Sequence, residues 1–131
     1  MKIERINPEH LYVPPTYHHV VRTSGGTALW IAGQVATNTA GDVVGVGDFE
    51  AQARQVFENL RIALEAGGAT FDNVVKMTTL IVDFDRAVLP RLFAIRSDYV
   101  DEMSPATTLI GVQALARPEY MLEIEAIAVV D

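Results

Sequence analysis

Between positions 49 and 64, Phe49, Ala53, Val56, Phe57, Leu60, Ala63 and Leu64 recur at steps of three and four, with Glu50, Arg54, Arg61 and Glu65 outside the stripe. That period places the apolar side chains on one face of an α-helix. Asp48 stands where an N-cap belongs, and Gly67-Gly68 permits the left-handed turn that ends a helix. A second, shorter helix is predicted near Pro90, since proline is tolerated in a first turn. Leu92, Phe93, Ile95 and Tyr99 give it an apolar face, and Met103-Ser104-Pro105 closes it. Elsewhere the period shortens. Residues 74–82 are rich in β-branched side chains and read as a strand, as do residues 106–113 and 121–130. Residues 19–22 and 28–32 read as two more strands, joined as a hairpin by Ser24-Gly25-Gly26. Residues 2–15 form an arm expected to lie over a sheet edge, and the glycine-bearing stretch 38–47 is a loop or ribbon.

The order is strands, helix, strand, helix, strands, which predicts an α+β fold: a single sheet layer with two helices packed on one face. Two helices cover one face only, so the other must be polar or must meet another subunit. Leu109, Val112, Leu122, Ile124, Trp30 and Val35 cannot all reach the covered face, leaving an apolar surplus for an interface. The 131 residues, half of them apolar, suit one domain over 1–131.

Composition narrows the function. A formal charge of -7 without a Lys/Arg cluster argues against nucleic acid as partner. The absence of cysteine removes thiol nucleophiles, disulfides and thiolate metal sites, which suits a cytoplasmic protein. No apolar run reaches membrane-spanning length, and the charged, proline-bearing start lacks a signal-peptide core. No metal is expected: His18 and His19 are neighbours on a strand and point to opposite faces, with His10 the sole remaining histidine. Asp98, Asp101 and Glu102 read as a solvated helix end rather than a calcium loop, and no Gly-Lys-Ser/Thr follows Gly41, Gly45 and Gly47 to make a phosphate loop.

The last third runs Pro105-Ala106-Thr107-Thr108, then Gly111-Val112, then Leu122-Glu123-Ile124-Glu125-Ala126-Ile127-Ala128. Together with Tyr17, Ala32-Gly33-Gln34, Gln52, Glu58-Asn59-Leu60, Ala66-Gly67-Gly68-Ala69 and Val74-Val75-Lys76-Met77-Thr78, it resembles the RidA family nearly end to end. That family, also called YjgF-type or L-PSP endoribonuclease-like, is named for reactive enamine/imine deaminases. The resemblance implies a chorismate mutase-like fold and a homotrimer with a central barrel. It also implies small-molecule clefts between subunits and no cofactor.

By the same resemblance Glu123 is the catalytic carboxylate that positions or deprotonates the attacking water. Tyr17, Ala32, Gly33, Thr107 and Thr108 line the substrate cleft, with Lys76 and Trp30 less securely placed there. Two positions depart from the family. An arginine that grips the substrate carboxylate is replaced by Thr107, and the serine of Ser-Gly-Gln by Ala32. A guanidinium donates two parallel hydrogen bonds to a carboxylate, whereas a threonine offers one hydroxyl. Losing a buried charge partner costs about 2–5 kcal/mol. Affinity for a 2-imino acid would then fall by about two to three orders of magnitude. Arg91 is the first candidate to supply the missing cation, followed by Arg22, Arg96 and Arg117. The expected function is a hydrolase of an imine, enamine or related reactive compound other than the standard 2-imino acids; the alternative is a non-catalytic small-molecule or protein-binding module. Glu123 and Glu125 sit two apart on a strand and project to one face, which equally suits a solvated strand face.

Overall fold

The computed structural model describes residues 1–101 and 104–131. Eight principal elements follow in order: β1 (Lys2–Ile6), β2 (Val20–Ser24), β3 (Thr27–Gln34), α1 (Phe49–Ala66), β4 (Val74–Val82), α2 (Leu89–Arg96), β5 (Ala106–Val112) and β6 (Leu122–Val130). The expected α+β arrangement is observed, with both helices packed on a sheet. Met103 and Glu102, assigned to the close of the second helix, lie outside the described residues.

The four-stranded sheet has the order β3-β6-β4-β5, in which β4 and β5 run parallel and the other pairs antiparallel. The sequence expectation for the N-terminal strands needs correction. β2 and β3 are joined by a tight turn with positive φ at Gly25 and Gly26, yet β2 pairs with β1 and β3 with β6. Residues 2–6 are therefore a strand of a separate two-stranded ribbon rather than an arm over an edge. Packing explains the split. Leu29 and Ile31 of β3 lean on the core beneath α1, while Val20, Arg22, Thr23 and Ser24 of β2 are exposed. The turn also presses against β6, since a Cβ at Gly26 would lie 2.5 Å from the Val130 carbonyl oxygen.

α1 forms as its stripe predicts. The Asp48 carboxylate accepts from the Ala51 amide at 3.1 Å, a cap contributing about 1 kcal/mol, and Gly68 ends the helix at φ 78°. Val56, Phe57, Leu60 and Leu64 are buried against Met77, Ile81, Leu122, Ile124, Ala126 and Ala128. Two polar side chains fix the helix to neighbouring loops. Buried Gln52 donates to the carbonyls of Glu119 and Gly45 and accepts from the Met121 amide, so its amide group is saturated. Asn59 donates to the carbonyls of Val35 and Thr37.

The sheet face away from the helices carries the apolar surplus, though not through every residue expected. Leu122 and Ile124 are buried beneath the helices and Leu109 leans on the core. Trp30 is 78% exposed and Ile110 44%, with Leu80 and Ile127 half-buried beside them. Among the described residues no helix is long and apolar enough to cross a membrane.

On the ribbon, hydrogen bonds from Arg22 first and Lys2 second hold the exposed Glu4 carboxyl down to about 2 from 4.5. A lowered folded-state pKa stabilises above the unfolded value and is lost as pH falls through the folded one. Amide protection in β1 and β2, taken relative to the intrinsic exchange rate at each pH, should therefore fall as pH drops from 4.5 toward 2, and about 1 M salt should shrink the change.

Candidate functional site

A cleft of about 260 Å³ opens between the segment before β2, α2 and the edge strand β5. Phe57, Met77, Leu92, Phe93 and Leu109 form its apolar walls; Tyr17, Thr79, Thr107, Thr108 and Arg96 bring the polar groups. The structure thus gathers three of the sequence-derived site residues, Tyr17, Thr107 and Thr108, in one place. His18 holds the segment bearing Tyr17 against β5: its amide donates to the Pro105 carbonyl at 3.1 Å and its Nδ1 to the Ser104 carbonyl at 2.7 Å. The carbonyl can only accept, so this nitrogen carries the proton.

Of the four arginines considered as replacements, Arg96 alone lines this cleft. Arg91 does not, contrary to expectation. Its Nε donates to Glu50 at 2.9 Å, its guanidinium lies 5.7 Å from the Phe49 ring centre, and it borders a separate depression with Asp83 and Asp85. Five residues on a helix turn about 140°, so Arg91 and Arg96 leave α2 on different sides. Arg22 is paired with Glu4, and Arg117 donates to the Gly41 carbonyl. The sequence held a usable signal: Leu92 and Arg96 are four apart and share a helix face, and Leu92 is buried.

Arg96 donates from Nη2 to the Thr16 carbonyl at 2.8 Å. Burial pushes its pKa below the ordinary arginine value, because desolvation disfavours the charged form.

Glu123 lies elsewhere. On β6 it stands opposite Leu80, whereas Thr107 on β5 stands opposite Met77. Met77 and Leu80 are three apart on β4, so Thr107 faces the helices and Glu123 the uncovered side. Glu125 shares Glu123's face. Gly33 meets Glu123 directly: a Cβ there would sit 2.6 Å from Oε2, so the missing side chain makes room for the carboxylate. Ala32 borders a depression of about 460 Å³ on the uncovered side, with Trp30, Lys76, Thr78, Glu125 and Ile127. One bond links the two regions, from Lys76 Nζ to Thr108 Oγ1 at 3.1 Å. Among the described residues no group of three or more His, Cys, Asp or Glu side chains is placed to hold a metal ion.

Comparison with known proteins bears on this arrangement. Residues 8–130 match the sequence profile of the family described as Endoribonuclease L-PSP. A RutC family protein of Pyrococcus horikoshii is 36% identical over 104 residues, 79% of each chain. A 2-iminobutanoate/2-iminopropanoate deaminase of Dermatophagoides farinae is 27% identical over 106 residues, 81% of this chain and 80% of its own. The crystal structure of a conserved Rid family protein from Yersinia pestis superposes with a TM-score of 0.91 at 42% identity, covering 99% of this chain and 100% of the other.

Proposed function

The chain belongs to the endoribonuclease L-PSP family and is similar to Rid family proteins, and from that premise we propose a cytoplasmic homotrimer that binds a small reactive metabolite between subunits. Residues 1–131 are read as one domain. The bound molecule is an imine, enamine or related compound, which the trimer hydrolyses to a carbonyl product and ammonia.

One observation carries this reading: the site residues divide between two faces of the sheet. Tyr17 and Thr107 face the cleft beside α2, while Glu123 and Gly33 lie on the uncovered side. A single chain cannot close a small ligand between them, but a second copy can bring its own Glu123 to the cleft of the first. The apolar uncovered face, with Trp30 exposed on its edge strand β3, supports such an assembly.

Glu123 makes no hydrogen bond or ion pair with the described residues, which leaves both oxygens open to a water. The carboxylate takes a proton from that water as its oxygen bonds to the C=N carbon. That proton goes to the nitrogen to give a carbinolamine; the carboxylate then takes the hydroxyl proton and passes it to the nitrogen as the C=O bond forms and the C–N bond breaks, releasing ammonia. Tyr17, Ala32, Gly33, Thr107 and Thr108 position the substrate, while Arg91 is bound to Glu50. Thr107 supplies no charge, so standard 2-imino acids are poor substrates. The same absence favours the alternative of a binding module without turnover. An acidic chain gives RNA cleavage little support.

The test is Gly33→Ala. The three atoms nearest the added methyl all belong to the Glu123 side chain, so the fold and trimer mass should persist. Displacing the carboxylate by about 1 Å should slow hydrolysis up to about 100-fold. A rate unchanged by Gly33→Ala would remove Glu123 from the reaction.

A further inference from the structure

We propose, on the reading of this cleft as the ligand site, that Arg96 of α2 is its anion-binding residue and that the ligand carries a carboxylate on an apolar body. The cation absent from β5 is supplied from the facing wall. An acid gripped there enters in a different orientation from one held by strand β5, which separates this ligand class from the standard 2-imino acids.

The guanidinium has five N–H donors, and the described residues account for one, to the Thr16 carbonyl. That bond fixes the plane of the group and leaves the others free to meet two carboxylate oxygens. Arg22, Arg54, Arg61 and Arg91 each hold a carboxylate of this chain; among the described residues Arg96 holds none. Its partial burial is met by no carboxylate of this chain, in line with the downward push on its pKa, and a bound anion relieves that cost. Tyr17 and Thr107 border the same space and offer hydroxyl donors, while Phe57, Leu92 and Leu109 give the remainder of the ligand an apolar surround. At about 260 Å³ the cleft suits a body no larger than a phenyl or short branched aliphatic group.

Two other sources of the charge are distinguishable. Lys76 reaches Thr108 from the uncovered face, and Arg96 could serve only to hold Thr16 in place. The experiment is calorimetric titration of the assembled protein with 3-phenylpropanoate and with its neutral amide, which shares its shape. The wild type should prefer the acid at least about tenfold. Arg96→Gln should abolish that preference while holding amide affinity within about twofold; Arg96→Lys should retain part of the preference, and Lys76→Gln all of it. The proposal is overturned if Arg96→Gln keeps the preference, if Lys76→Gln removes it, or if acid and amide weaken together. It is overturned equally if the wild type binds neither probe below about 10 mM. No turnover enters this measurement. An acid preference that depends on Arg96 in a protein without hydrolytic activity would therefore sink the catalytic reading and leave this one standing.

Discussion

Phe57→Ala should destabilise the chain by about 3–5 kcal/mol, the range for removing a buried aromatic ring. Phe57 is 1% exposed and its ring stacks on Tyr99 at 5.3 Å and 14°, with Phe71 at 6.3 Å on another side. The three rings join α1, the turn before β4 and the chain after α2, so each position depends on the other two. Aromatic pairs of this kind add about 0.5–1.5 kcal/mol beyond burial alone. Phe57→Leu, which keeps most of the volume, should therefore cost much less. The ring also forms part of the cleft wall, which links packing to ligand binding. Urea unfolding at fixed protein concentration measures the effect. A loss below about 1 kcal/mol would mean that the three rings do not hold these elements together.

Glu123→Gln should lower hydrolysis by about 10²- to 10⁴-fold, the usual contribution of a general base, while stability changes by less than about 0.5 kcal/mol. The small stability effect follows from a half-buried side chain with no hydrogen bond to the described residues; glutamine keeps its shape and removes only its basicity. Tyr17→Ala should also weaken activity, through the cleft rather than the base. The two variants become more informative when refolded together. If each site joins the cleft of one chain to Glu123 of the next, mixed trimers regain about one intact site in three. A site contained within one chain regains none, because each chain carries a defect.

Most of the elements were legible because their signals are local. The α1 stripe, its Asp48 cap and Gly68 stop, and the β-branched run of β4 are each decided within a few residues. Strand pairing was not legible. Gly25-Gly26 announces a turn, but whether its flanking strands bond to each other depends on β1 and β6, which lie far away in sequence. Leu122 and Ile124 looked like interface residues because the width of the sheet beneath α1 cannot be read from period alone. In the site, resemblance brought Tyr17, Thr107 and Thr108 to one cleft, where the structure also gathers them. Which arginine borders the cleft was not legible either, since 140° of helix rotation decides that Arg96 meets it and Arg91 meets Glu50.

On the proposed reading the difference between this chain and a 2-imino acid deaminase rests on Thr107, and the decay of freshly generated 2-iminobutyrate tests it most directly. Buffer, wild type, Thr107→Arg and the double variant Thr107→Arg/Glu123→Gln would be compared. The wild type should accelerate decay weakly, Thr107→Arg at least about tenfold more, and the added Glu123→Gln should remove the gain. A wild type that already works fast, with Thr107→Arg bringing no improvement, would contradict the account.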